Sequence, residues 1–76
     1  MTIQTIERAI AHIAAQVLGI DPQDVSAASP IPGSLMHEIN DEACLALNLN
    51  ISASRAGQCQ TVGQYVELVQ EERAKP

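Results

Sequence analysis

The sequence has no phenylalanine and no tryptophan, and its one aromatic residue is Tyr65. A core must therefore be built from Ile, Val, Leu and Ala, and there is no set of rings on which nucleic-acid bases could stack. Lys and Arg are absent from the whole stretch 21–54, which holds Asp21, Asp24, Glu38, Asp41 and Glu42. The flanking stretches each sum to zero: Glu7 against Arg8 in 1–20, and Glu67, Glu71 and Glu72 against Arg55, Arg73 and Lys75 in 55–76. The formal net charge of −5 thus belongs to the central segment. Such a balance argues against binding nucleic acid, whose counterions are displaced by Lys and Arg, and against an anionic membrane surface. No run of apolar residues is long enough to span a bilayer. No basic stretch followed by an apolar one opens the chain, so a cytoplasmic setting with reduced thiols is expected. Cys44, Cys59, His12 and His37 show no C-x-x-C or H-x₃-H spacing, which leaves metal binding without a recognisable ligand set. The two thiols are expected to act as buried apolar groups. At 76 residues the chain allows a single domain, 1–76, too small for a deep active site of its own.

What is present is helical periodicity. Ile3, Ile6, Ile10, Ile13, Val17 and Ile20 recur at spacings of three and four, one apolar stripe of an α-helix. Thr2 can cap its start, and Gly19 stands where a left-handed residue would end it. Asp21-Pro22 then reads as a cap followed by proline in the first helical position, enough for one turn, with Val25 as its apolar anchor. Pro30, Pro32 and Gly33 exclude helix and sheet, so 20–33 is a loop. A second helix is expected over 34–48, with Leu35, Ile39, Ala43, Ala46 and Leu47 inward and Glu38, Asp41 and Glu42 outward. Ser52 can cap a short third helix that stops at Gly57. Thr61 can cap a last helix with Val62, Tyr65, Val66 and Val69 inward, and the final residues to Pro76 are expected to fray. Strand alternation and repeats are absent. The expected fold is all-α: three longer helices, one short one and a long first loop.

In this order the segments resemble an acyl carrier protein. Ile6 to Ile20 is similar to that family's first helix, which ends in Leu-Gly-(Val/Ile), here Leu18-Gly19-Ile20. Asp24-Val25 resembles the (Glu/Asp)-Val that follows. Thr61-Val62-Gly63-Gln64-Tyr65-Val66-Glu67-Leu68-Val69 resembles the opening of the family's last helix, and Ile51 to Val62 fits the stretch before it. The likeness covers essentially the whole chain, and it implies a small four-helix bundle of acyl-carrier type. It also implies a protein that is not itself an enzyme. Such a carrier receives 4′-phosphopantetheine from coenzyme A on a serine at the start of the second helix, then presents acyl or polyketide intermediates as thioesters.

The residue matching that serine is Ser34, in Gly33-Ser34-Leu35, where the family has Asp-Ser-Leu. Gly33 replaces the aspartate, Pro30-Ile31-Pro32 replaces the preceding Leu-Gly element, and the first loop is shorter than usual. An alignment without gaps sets Gly33 at the serine position; a one-residue deletion near the helix start restores Ser34. Read without the family, Ser34 is simply a helix cap. The resemblance implies that Glu38, Asp41 and Glu42 form a docking face for basic patches on a phosphopantetheinyl transferase and on ketosynthase- or acyltransferase-type enzymes. It also implies that Ile39, Ala43, Leu47, Ile51, Cys59, Val62 and Tyr65 line an acyl pocket, although the same residues read equally well as core. Tyr65 replaces a residue that is often smaller and, if inward, needs a partner for its hydroxyl. A monomer is expected. The alternative function is a carrier-like interaction module without the prosthetic group, docking basic partners through its acidic second helix.

Overall fold

The computed structural model describes residues 3–74, so the expected Thr2 cap and the fraying at Lys75 and Pro76 lie outside the described residues. The chain forms α1 (Ile3–Leu18), a single 3₁₀ turn (Pro22–Asp24), α2 (Gly33–Leu47), the short α3 (Ala53–Ala56) and α4 (Val62–Ala74). The described residues contain no strand, only one isolated antiparallel bridge between Pro30 and Thr61. The fold is thus a small all-α unit with three longer helices, one short helix and a long loop before the second.

Local signals set most of these boundaries. Gly19 ends α1 with φ at +72°, and both its N–H and that of Ile20 return to the Ala15 carbonyl, the left-handed closure for which glycine is suited. The Asp21 carboxylate accepts from the Gln23 N–H at 3.0 Å and caps the 3₁₀ turn, with Pro22 in its first position. Ser52 Oγ accepts from the Arg55 N–H at 3.3 Å and caps α3. That helix stops at Gly57 with ordinary right-handed angles, so the glycine is not needed there for a positive φ. At α4, Thr61 Oγ1 accepts from the Gln64 N–H at 3.3 Å and caps the helix, while the Gln64 side chain accepts from the N–H of the preceding Gln60 at 2.7 Å. Asn48 closes α2 in the left-handed region at φ 55°.

One buried cluster fills the interior. Ile6, Ile10 and Ala14 of α1 meet Met36, Ile39, Ala43 and Leu47 of α2 and Val62, Tyr65, Val66 and Val69 of α4, with Ile31, Ile51 and Ala56 closing the ends. Each fully buried aliphatic side chain contributes about 1.5–3 kcal/mol. The inward stripe of α2 is turned from the expected one. Met36 and Asn40 are buried, Leu35 is half-buried and Ala46 is exposed. Spacings of four and three link Met36, Asn40, Ala43 and Leu47, and that stripe admits a polar residue where the aliphatic-only pattern does not. Ile20 is 41% exposed because the left-handed Gly19 has already turned the chain off the α1 stripe. Both cysteines are free and half-buried instead of buried.

Two further contacts tie α4 to the rest. Arg55 of α3 pairs with Glu72, a partly exposed ion pair worth about 0–1 kcal/mol. Arg73 donates to the Leu47 carbonyl at 3.4 Å, where a cation suits the negative end of α2.

Candidate functional site

The start of α2 is defined by a proline. Pro32 is the N-cap residue and offers no side-chain acceptor, so the helix begins without a side-chain cap. Its carbonyl accepts from the N–H groups of Leu35 and Met36, each at 3.0 Å. The N–H groups of Gly33 and Ser34 have no partner among the described residues, at the positive end of a 15-residue helix. Ser34 is exposed and occupies the second helical position. It is therefore not the helix cap; its hydroxyl is not engaged in holding the helix end. A Cβ placed on Gly33 would meet nothing within 4 Å, so the space before Ser34 is open.

The preceding loop is held, not loose. Gly63 N–H donates to the Ala27 carbonyl at 2.9 Å, Val62 N–H to Ser29 at 3.0 Å, and Ile31 N–H to Gln60 at 2.9 Å. Ser29 Oγ also accepts from the Ser26 N–H at 2.9 Å. These bonds zip the loop onto the beginning of α4, and buried Ile31 pins its far end beside the core. The first turn of α2 is thus carried by α4.

From Ser34 the exposed face of α2 descends through Glu38, Asp41 and Glu42, all exposed, with His37 exposed beside them. α2 contains no Lys or Arg. Of the residues matched to an acyl pocket, Ile39, Ala43, Leu47, Ile51, Val62 and Tyr65 are buried in the core and Cys59 is half-buried against it. Tyr65 does point inward. Its hydroxyl donates to Asn40 Oδ1 at 2.7 Å, and Asn40 Nδ2 donates to the Ile51 carbonyl at 2.9 Å. The Cys44 thiol lies 3.6 Å from the same Asn40 oxygen. Asn40 thus joins α2, the α3 entrance and α4. The partner that the Tyr65 hydroxyl needs is therefore Asn40, a polar residue that side-chain periodicity does not mark as inward. A separate half-open groove of about 750 Å³ lies between α1, the loop and α4, with Ala11, Val25, Val62 and Val66 among its walls beside Glu7, Arg8 and Glu67.

Comparison with known proteins gave no match: no family model fits the sequence, and no curated protein or solved structure is significantly similar to it.

Among the described residues, no cluster of three or more His, Cys, Asp and Glu could hold a metal ion, and no helix is long and apolar enough to cross a membrane. Burial pushes the Tyr65 hydroxyl well above its ordinary pKa of 10.0, with Cys44, Cys59 and Asp41 adding to the effect. Burial also raises the Cys59 thiol above 9.0. The sign follows from linkage. Above pH 10.0 the unfolded chain releases the Tyr65 proton while the native chain keeps it, so stability is complete below that pH and is lost above it, by up to about 1.4 kcal/mol per pH unit. Urea melts from pH 8 to 11 are expected to show this loss in the wild type and a weaker one in Tyr65→Phe. Equal slopes would contradict the assignment.

Proposed function

We propose that the chain is a carrier protein whose Ser34 takes a 4′-phosphopantetheine arm, and that it performs no catalysis itself. The observation that carries this reading is the exposed Ser34 hydroxyl on the uncapped first turn of α2. A helix N-terminus with unpaired N–H groups favours the phosphodiester anion that loading would create. Gly33 leaves room for that group. Loading joins Ser34 Oγ to the phosphorus that bears the pantetheine in coenzyme A. The bond from that phosphorus to the adenosine bisphosphate breaks, and the hydroxyl proton passes to a base of the transferase. Once bound, the arm supplies a thiol that carries acyl groups as thioesters.

The chain's own residues do three things in this account. The loop bonded to α4 fixes where Ser34 sits. Glu38, Asp41 and Glu42 draw basic transferase and ketosynthase- or acyltransferase-type surfaces to the helix below it. Tyr65 and Asn40, hydrogen-bonded to each other, fill the part of the core that the resemblance matches to an acyl pocket. The resemblance to acyl carrier proteins supports the same reading along the chain.

A second reading, a docking module without the arm, is favoured by one observation: Gly33, not Ser34, is the first residue of α2. The test is incubation with coenzyme A and a broad-specificity phosphopantetheinyl transferase, followed by intact-mass measurement. The carrier reading expects one added phosphopantetheine in the wild type and none in Ser34→Ala. An unmodified wild type would leave the docking module.

A further inference from the structure

Two of the residues matched to an acyl pocket, Ile51 and Tyr65, are tied together by a third residue that the match does not include. Asn40 stands on α2 between Ile39 and Ala43. Its Oδ1 accepts from Tyr65 Oη of α4 at 2.7 Å, and its Nδ2 donates to the Ile51 carbonyl at 2.9 Å. The Cys44 thiol adds a weaker contact to each acceptor, 3.6 Å from Asn40 Oδ1 and 3.9 Å from the Ile51 oxygen. Ile39, Ala43 and Tyr65 have no exposed surface. Among the described residues, no buried side-chain nitrogen or oxygen lacks a hydrogen-bond partner. The polar bridge is therefore satisfied within the chain.

We propose that Asn40 and Tyr65 set the class of cargo: short or oxygen-bearing acyl groups that stay in solvent, and not long alkyl chains sheltered between α2 and α4. The proposal deepens the carrier reading of Ser34 and rests on it. An alkyl chain entering beside Ile39, Ala43 and Ile51 must part Tyr65 from Asn40, or Asn40 from Ile51. Hydrocarbon returns no hydrogen bond, so the hydroxyl, amide and carbonyl groups released are left buried without partners. The chain also needs room in a close-packed interior, and a tyrosine ring with no exposed surface has to move to give it. A long chain kept outside exposes its methylenes to water, which is unfavourable in proportion to their area. A two-carbon group exposes few, and a hydroxyl or keto oxygen on the cargo keeps its hydrogen bonds to water. Only long alkyl cargo is thus disfavoured in both places.

The test loads the full chain from acetyl-, 3-hydroxybutyryl- and octanoyl-coenzyme A with a broad-specificity phosphopantetheinyl transferase. Intact mass reports loading, and hydroxylamine then cleaves each thioester. Each cleavage rate is divided by that of the same acyl group on free pantetheine. In the wild type these ratios are expected to agree, and the melting temperature is expected not to rise with acyl length. In Asn40→Leu/Tyr65→Phe the bridge gives way to apolar groups of similar size. There the octanoyl ratio is expected to fall by about four-fold, the factor that burial of one methylene supplies. Tyr65→Phe alone keeps the ring and Asn40, and a smaller fall is expected. A wild-type octanoyl ratio already that far below the acetyl ratio overturns the proposal. So does an octanoyl ratio unchanged in both variants, since the bridge then excludes nothing. The wild-type comparison decides by itself if the double variant fails to fold. Absence of any mass increase overturns the carrier reading and takes this one with it, so the two failures are read from different measurements.

Discussion

Asn40→Ala is expected to destabilise the protein by about 2–4 kcal/mol, the sum of an orphaned buried hydroxyl, an orphaned carbonyl and a small cavity. Asn40 is 4% exposed and is the polar member of the α2 inward stripe. It accepts from Tyr65 Oη and donates to the Ile51 carbonyl, so one truncation leaves groups of two other elements unpaired. A domain of this size has roughly 4–11 kcal/mol of stability in all, which makes the expected loss a large fraction. Tyr65→Phe removes one bond and keeps the ring, so about 1–2 kcal/mol is expected. The double variant should cost less than the sum, because the two side chains share one bond. Urea denaturation checks all three. A loss below about 1 kcal/mol in Asn40→Ala, or strict additivity, would mean that the network does not bind α2 to α4.

Gly63→Val is expected to be nearly as damaging, at about 2–4 kcal/mol. Gly63 lies in the first turn of α4, where helix propensity alone would favour a larger residue by up to about 1 kcal/mol. The close approach of the loop decides against it. A Cβ on Gly63 would stand 2.9 Å from the Ala27 carbonyl oxygen and 3.0 Å from Ala27 Cβ. The nearest atom is backbone, which cannot swing aside as the end of a long side chain can. Relief requires the loop to leave α4, which costs the bond from Gly63 N–H to Ala27 and loosens those at Val62 and Ile31. Because that loop carries the first turn of α2, the same substitution should also slow loading of Ser34. Gly33→Ala serves as the contrast. Nothing stands within 4 Å of its Cβ, and a change within about 0.5 kcal/mol is expected. Thermal melts of the two variants separate packing from glycine content: equal melting temperatures would remove the role given to the loop.

Much of the fold was legible before any coordinates because it rests on local chemistry. Gly19, Asp21, Ser52 and Thr61 act through bonds to residues at most four positions away, and each is found at the boundary it marks. The α1 stripe held for Ile6 and Ile10, while Ile13 and Val17 are only half-buried and Ala14, outside the stripe, is fully buried. The α2 stripe departs from the expected one at Ala46, which is exposed, and at Met36 and Asn40, which are buried. Its buried face includes Asn40, and a polar residue is read as solvent-facing unless its partner, 25 positions away in Tyr65, is known. The pairing of the loop with α4 was equally hidden, since backbone bonds between Ala27 and Gly63 leave no mark on side-chain periodicity. Within the candidate site, the acidic residues of α2 were visible from charge alone. The reading of Ser34 as a cap failed because Pro32 takes that position; a proline two residues before a serine was the available signal.

Fragment-ion mapping of the chain after incubation with coenzyme A and a phosphopantetheinyl transferase tests the central claim most directly. The account predicts a single phosphopantetheine, placed by the fragments on Ser34 and absent from Ser34→Ala. No modification, or one that the fragments place on another serine, would contradict it.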